Sequence, residues 1–193
     1  MSVDVRPISQ ANLSMALKGM GRQDPDRYAF TVMTSLLGSG MSSRLFREVR
    51  ERRGLAYSVG CGIVRFHDTG ALYTSAGVAP EKLVEATKVI WGEFRKLTEE
   101  LVGAEELQKA RDYATGSFRL GLEDTMSVAR WTGDNLINTG EVQTVEDVVS
   151  RLKGVTAEDV QRVAKRLFID PVTSVGITSP TDDSEALLDV LRN

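Results

Sequence analysis

The chain has 193 residues, 41% hydrophobic and 26% charged, with a formal net charge of −3. These values suit one soluble globular domain with a sizeable core. They exclude a global pull toward nucleic acid or anionic membrane, no apolar run reaches a spanning length, and the single cysteine, Cys61, excludes an intrachain disulfide.

Apolar Ala11, Leu13, Met15 and Leu17 alternate with Asn12, Ser14, Ala16 and Lys18, which predicts a half-buried strand over residues 11–17. The shorter Val3, Val5 alternation is a separate strand or a linker end. After a turn at 19–23, Asp24 is the expected cap of a helix with Pro25 at its first position, where a missing N–H costs nothing. Tyr28, Val32, Leu36 and Leu37 form its apolar face before Gly38. Gly38-Ser39-Gly40 reads as a turn, because a lone G-x-G without a lysine is a weak phosphate signal.

Residues 40–62 are the densest stretch. Leu45, Phe46 and Val49 draw a narrow stripe on a short helix that Ser42 or Ser43 can cap. Gly54 sits where a helix end needs positive φ, with Leu55 beyond it as in a Schellman ending. A strand then runs to about residue 66, and Gly60 and Gly62 within it suggest a bulge or a close approach by another backbone. Residues 67–70 read as a hairpin turn and 71–78 as the returning strand.

Pro80 opens a long helix whose core stripe is Leu83, Ala86, Ile90, Phe94, Leu97 and Leu101, bordered by Trp91. Gly103 separates it from a second, over residues 104–124, carrying Leu107, Ala110, Ala114, Phe118 and Leu122. The short break predicts that the two lie antiparallel, against each other or the sheet. Shorter helical patterns cover 126–137, with Trp131, and then Val145, Val148, Val149 and Leu152. Thr156 with Asp159 resembles a capping box for a helix running until Pro171. Residues 172–178 are the last strand and 185–191 a terminal helical turn or two. A hairpin beside grouped helices argues a single α+β domain, 1–193: one mostly antiparallel sheet with helices packed on one face.

Chemistry concentrates at the helix–strand junction. Arg50 lies in the last helical turn and Tyr57 early in the strand. A guanidinium offers forked donors and a neutral phenol offers an O–H; converging on one carbonyl oxygen, they stabilise negative charge developing there. The plainer reading is a half-buried strand tyrosine and a solvated arginine. Tyr57 shares strand parity with Leu55, Val59, Cys61 and Ile63, which look like core, so an outward Tyr57 requires a bulge, expected near Gly60. Arg44, Arg47, Arg50, Arg52 and Arg53 make a basic surface diluted by Glu48 and Glu51 and without interleaved aromatics, a poor nucleic-acid patch.

The run SSRLFREVRERRGLAYSV, from Ser42 to Val59, resembles the C-terminal half of the pitrilysin/insulinase-type zinc peptidases, the inverzincin group that includes mitochondrial processing peptidase. The likeness extends through DPDRYAFTVMTSLLGSGMSS before it and HDTGALYTSAGVAPEKL after it, and more weakly to VTAEDVQRVAKRLF. In that family an Arg, six intervening residues and a Tyr help bind substrate and stabilise the tetrahedral intermediate; the match falls on Arg50 and Tyr57. The resemblance implies one half of a clamshell that closes on an extended peptide.

The family's zinc motif is H-x-x-E-H, and a catalytic zinc takes three protein ligands plus water. This chain has one histidine, His67, one cysteine and no such motif. The resemblance therefore implies no cofactor in this chain, zinc on an N-terminal domain or subunit, and an enzyme active only when assembled. Neither nucleic acid nor membrane is an expected partner. A second implied reading is a non-catalytic structural or assembly subunit of the same family. Composition leaves the compartment open, cytoplasmic or periplasmic for a soluble bacterial chain.

Overall fold

The computed structural model describes residues 1–169 and 173–192. Five strands form one sheet: β1 Ser2–Val5, β2 Ala11–Gly19, β3 Ala56–Arg65, β4 Gly70–Val78 and β5 Thr173–Ser179, in the order β1-β5-β2-β4-β3. β1 pairs parallel with β5, and the other three pairings are antiparallel. The Val3, Val5 alternation is thus a true edge strand. Ala11, Leu13, Met15 and Leu17 are all buried, while Asn12, Ser14 and Lys18 emerge on the opposite face. The strand predicted from residue 172 begins at Thr173; Val172 and Pro171 lie outside the described residues.

Among the described residues seven α-helices follow: α1 Arg27–Gly38, α2 Leu83–Glu99, α3 Ala104–Leu120, α4 Thr125–Thr139, α5 Val145–Gly154, α6 Ala157–Phe168 and α7 Ser184–Arg192. α1 packs on β3 and α6 on β2, closing one sheet face; α3 lies against α1 and α5, and α2 against α6 and α7. The α+β class and the largely antiparallel sheet are as the sequence predicts. No described helix is long and apolar enough to cross a membrane.

Of the two expected arrangements of α2 and α3, packing against each other is not found: each has other helices as its main neighbours. The connecting residues are extended, with φ −117°, ψ 142° at Glu100 and φ −62°, ψ 147° at Gly103. About four extended residues span roughly 13 Å, so α3 is carried across to α1 rather than turned back. Leu101 falls in this connection, outside the α2 stripe, and is exposed. Leu83, Ala86, Ile90, Phe94 and Leu97 are fully buried as expected. α3 ends at Leu120 rather than 124, because Asp124 caps the next helix, accepting from Ser127 N–H at 2.9 Å.

One further boundary differs from expectation. The first helix starts at Arg27; Asp24 accepts from Asp26 N–H at 2.9 Å in the turn before it. Asp24 and Asp26 then bind Arg166 and Arg162 of α6 at 2.7 and 2.6 Å, fastening α1 to α6. Thr156 and Asp159 form both halves of a capping box, and Thr144 with Asp147 forms another that the sequence reading overlooked.

Candidate functional site: the arginine–tyrosine junction

The stretch before β3 is wider than an ordinary α-helix. After a helical start at Arg44 and Leu45, Phe46–Arg52 adopts π-helical geometry, an uncommon form that recurs at functional sites. Leu45 and Val49 are fully buried and anchor it; Phe46 is half-buried. Neither serine caps it by accepting from the backbone. Ser43 is itself buried, so its hydroxyl needs a partner, and it donates to the Gly40 carbonyl at 2.8 Å across a turn with Gly40 at φ +79°.

Gly54 ends the segment at φ +57°. Leu55 N–H donates to the Val49 carbonyl at 2.8 Å and Gly54 N–H to the Arg50 carbonyl at 3.2 Å, each one residue wider than in a Schellman ending on an α-helix. A Cβ on Gly54 meets nothing within 4 Å, so the requirement is conformational rather than steric. Gly54→Val is expected to cost about 1–2 kcal/mol, a fall of roughly 2–4 °C in melting temperature per kcal/mol. An unchanged melting temperature would contradict this reading of the junction.

Tyr57 is the bulge. Ala56 pairs with Val78 and Ser58 with Gly77, so Tyr57 is the extra residue in the ladder. The expected bulge therefore exists, but at Tyr57 itself rather than near Gly60. Its effect is to break parity: Ala56 is buried, Val59, Cys61 and Ile63 are half-buried against the core, and Tyr57 is 78% exposed. The plainer reading of a half-buried strand tyrosine is set aside by that exposure. Gly60 has room for a Cβ, whereas Gly62 lies under the Tyr73 ring, whose atoms would come within 2.4 Å of one.

Arg50 stands beside this phenol. Its guanidinium carbon lies 5.6 Å from the Tyr57 ring centroid and 4.9 Å from that of Phe46. The neighbouring arginines are differently engaged. Arg52 binds Glu48 at 2.6 Å, with Arg53 at 4.0 Å from the same carboxylate. Arg44 forms a fork with Glu106 at 2.8 and 2.9 Å, with Glu93 at 3.9 Å. Burial opposes the charge on Arg44, but those carboxylates outweigh it and raise its pKa. Among the described residues Arg50 has no salt bridge, so its donors are open to a ligand.

The same residues do not suit zinc. Among the described residues no three of His, Cys, Asp and Glu gather as a metal set. His67 is exposed in the β3–β4 hairpin turn. Cys61 accepts from the Thr74 hydroxyl at 3.3 Å, and burial pushes its thiol up to about 12, away from the thiolate a metal needs.

Comparison with known proteins agrees with this architecture. Residues 2–113 match the family model described as the peptidase M16 inactive domain. An uncharacterized zinc protease of Streptomyces coelicolor is 35% identical over 94% of this chain and 39% of its own length. A crystal structure of a peptidase M16 inactive domain from Pseudomonas fluorescens superposes with TM-score 0.84 at 25% identity, over 93% of this chain and 43% of that one. A chain of Complex III from Candida albicans shares the fold, with TM-score 0.84 at 18% identity, over 97% of this chain and 48% of its own. The chain spans about two fifths of the length of the curated relatives it matches. With the family model covering more than half of the chain, it belongs to the peptidase M16 inactive domain family.

Proposed function

We propose that this chain is the substrate-binding and transition-state-stabilising half of a zinc endopeptidase. The zinc and the general base lie on another domain or subunit, the N-terminal one in the family's order. The observation that carries the reading is the pairing of an outward, bulge-borne Tyr57 with an Arg50 that no carboxylate neutralises. Both side chains are exposed, and both sit on regular elements, the π-helical segment and β3, rather than on a loop. A peptide carbonyl held between them gains stabilisation as its oxygen becomes an oxyanion. The uncovered sheet face near them carries small residues, Ser58, Gly60, Ser75 and Ser14, which leave room for an extended chain.

The chain alone is expected to bind no stoichiometric zinc and to cleave no peptide. Metal analysis of a chelator-washed sample checks this. One tightly held zinc per chain, with hydrolysis that a chelator abolishes, would contradict it.

The second reading is a non-catalytic structural or assembly role, prompted by the shared fold with a chain of Complex III. That likeness carries the fold alone. A purely structural subunit has no use for an unpaired arginine beside an exposed phenol, and this favours the peptidase reading. Turnover of the assembled protein with and without the Tyr57 hydroxyl separates the two.

A further inference from the structure

A second cluster of arginines occupies the far end of β3. Arg65 closes the strand, Arg22 lies in the turn after β2, and Arg27 opens α1; all three line a cavity of about 390 Å³ bounded by α1, β3, α3, α4 and α5. Eight residues of extended chain separate Arg65 from Tyr57, roughly 26 Å, so this cavity is distinct from the junction.

The cavity has more positive than negative charge. Arg22 binds Asp134 at 2.8 Å. Asp134 is the only carboxylate residue among those lining the cavity. Asp24 and Asp26, close in sequence, are turned to Arg166 and Arg162. Arg27 donates to the Tyr28 hydroxyl at 3.2 Å and the Asp24 carbonyl at 3.3 Å, with its guanidinium 4.5 Å from the Tyr28 ring centroid. Arg65 donates from one nitrogen to the Arg27 carbonyl and the Thr31 hydroxyl, both at 2.7 Å, while its Nε is buried with no partner. Burial, with Arg27 and Arg22 beside it, pulls the Arg65 guanidinium down to about 10.

A buried cation without a counter-charge is costly, and a buried donor without an acceptor adds to that cost. The excess charge is offset by one added group in the cavity, an oxyanion held by the Arg65 and Arg27 guanidinium groups. Part of the lining is apolar: Ile63, Phe118, Trp131, Val148 and Leu152 face the same space beside neutral amides and hydroxyls, with Trp131 edge-on to Phe118 at 5.6 Å. The volume is that of a small-molecule site. α4 forms one wall and has no buried residue of its own, so an occupant there would add contacts that this helix lacks.

We propose that this cavity binds a small amphipathic oxyanion, a carboxylate or phosphate headgroup on an apolar or aromatic body. The headgroup sits between Arg65 and Arg27, and the body lies against Trp131 and Phe118. The proposal does not depend on the peptidase reading.

The test titrates the full chain with hydrocinnamate and with phenyl phosphate, following Trp131 emission; Trp91, the other tryptophan, is buried in the core. Hydrocinnamamide, inorganic phosphate and a Trp131→Phe chain are the controls. A saturable change with either organic anion is expected, and the tighter of the two identifies the headgroup. Arg65→Met should weaken that binding on the order of tenfold to hundredfold. A melting curve of the free variant checks that it folds, since two hydrogen bonds of Arg65 are lost with its charge. Arg27→Gln, at a half-exposed position, provides a second variant expected to weaken binding in the same direction. No saturable response to either anion, or an equal response to hydrocinnamamide, would overturn the proposal. Inorganic phosphate binding as tightly as phenyl phosphate would overturn the apolar half of the site.

Discussion

In the assembled enzyme proposed above, Tyr57→Phe is expected to lower turnover by roughly 10²–10³, the usual loss for one oxyanion donor. The substitution removes only the O–H. Tyr57 is 78% exposed and occupies a bulge, so its hydroxyl contributes little to packing and the melting temperature should not move. That separation of effects makes the variant informative. Arg50→Lys is expected to impair turnover as well, because the charge stays but the planar fork that shares an oxygen with the phenol is lost. Steady-state kinetics and a melting curve on each variant check both expectations. Wild-type turnover in Tyr57→Phe would make the phenol a surface residue and place the oxyanion donors elsewhere.

Arg44→Leu is the second large effect, and it acts on stability. Arg44 is 13% exposed at the side chain and bridges the start of the π-helical segment to Glu106 on α3 and Glu93 on α2. Removing it leaves two carboxylates without their shared cation. One-sided removal of a buried pair typically costs several kcal/mol. The expected loss here is about 3 kcal/mol, toward the lower end, because Glu106 keeps part of its solvent contact and Glu93 retains Lys96 at 2.6 Å. For a chain of this length that corresponds to a fall of roughly 6–12 °C in melting temperature. Denaturant unfolding gives the free energy directly. Since the same clamp seats the segment bearing Arg50, activity of the assembled enzyme should fall with it. A change below about 0.5 kcal/mol would mean that the clamp is surface decoration.

Local periodicity was readable where one face is buried and the other is wet. The alternation of β2 and the three-and-four spacing along α2 report burial directly. The positive φ of Gly54 was readable because a helix end leaves few alternatives. Register was only half readable. The parity conflict at Tyr57 announces that a bulge is needed, but its place depends on which β4 residues the strand meets, and Val78 and Gly77 are about twenty residues away. A short connection reads as a turn in sequence, whereas the backbone between α2 and α3 is extended and α3 packs mainly on α1. The clamp from Arg44 to Glu106 and the arginine cavity at the end of β3 join residues distant in sequence, and one chain without its fold carries no sign of either.

The central claim is that this chain completes an active site whose zinc lies elsewhere. Its most direct test is the rate of peptide hydrolysis when the zinc-carrying half is mixed with this chain, in wild-type form or as the Arg50→Met/Tyr57→Phe double variant. Hydrolysis is predicted only for the mixture with the wild-type chain, with a loss of at least about 10² in the double variant at unchanged assembly. Equal rates for the two mixtures, or full activity from the zinc-carrying half alone, would contradict the account.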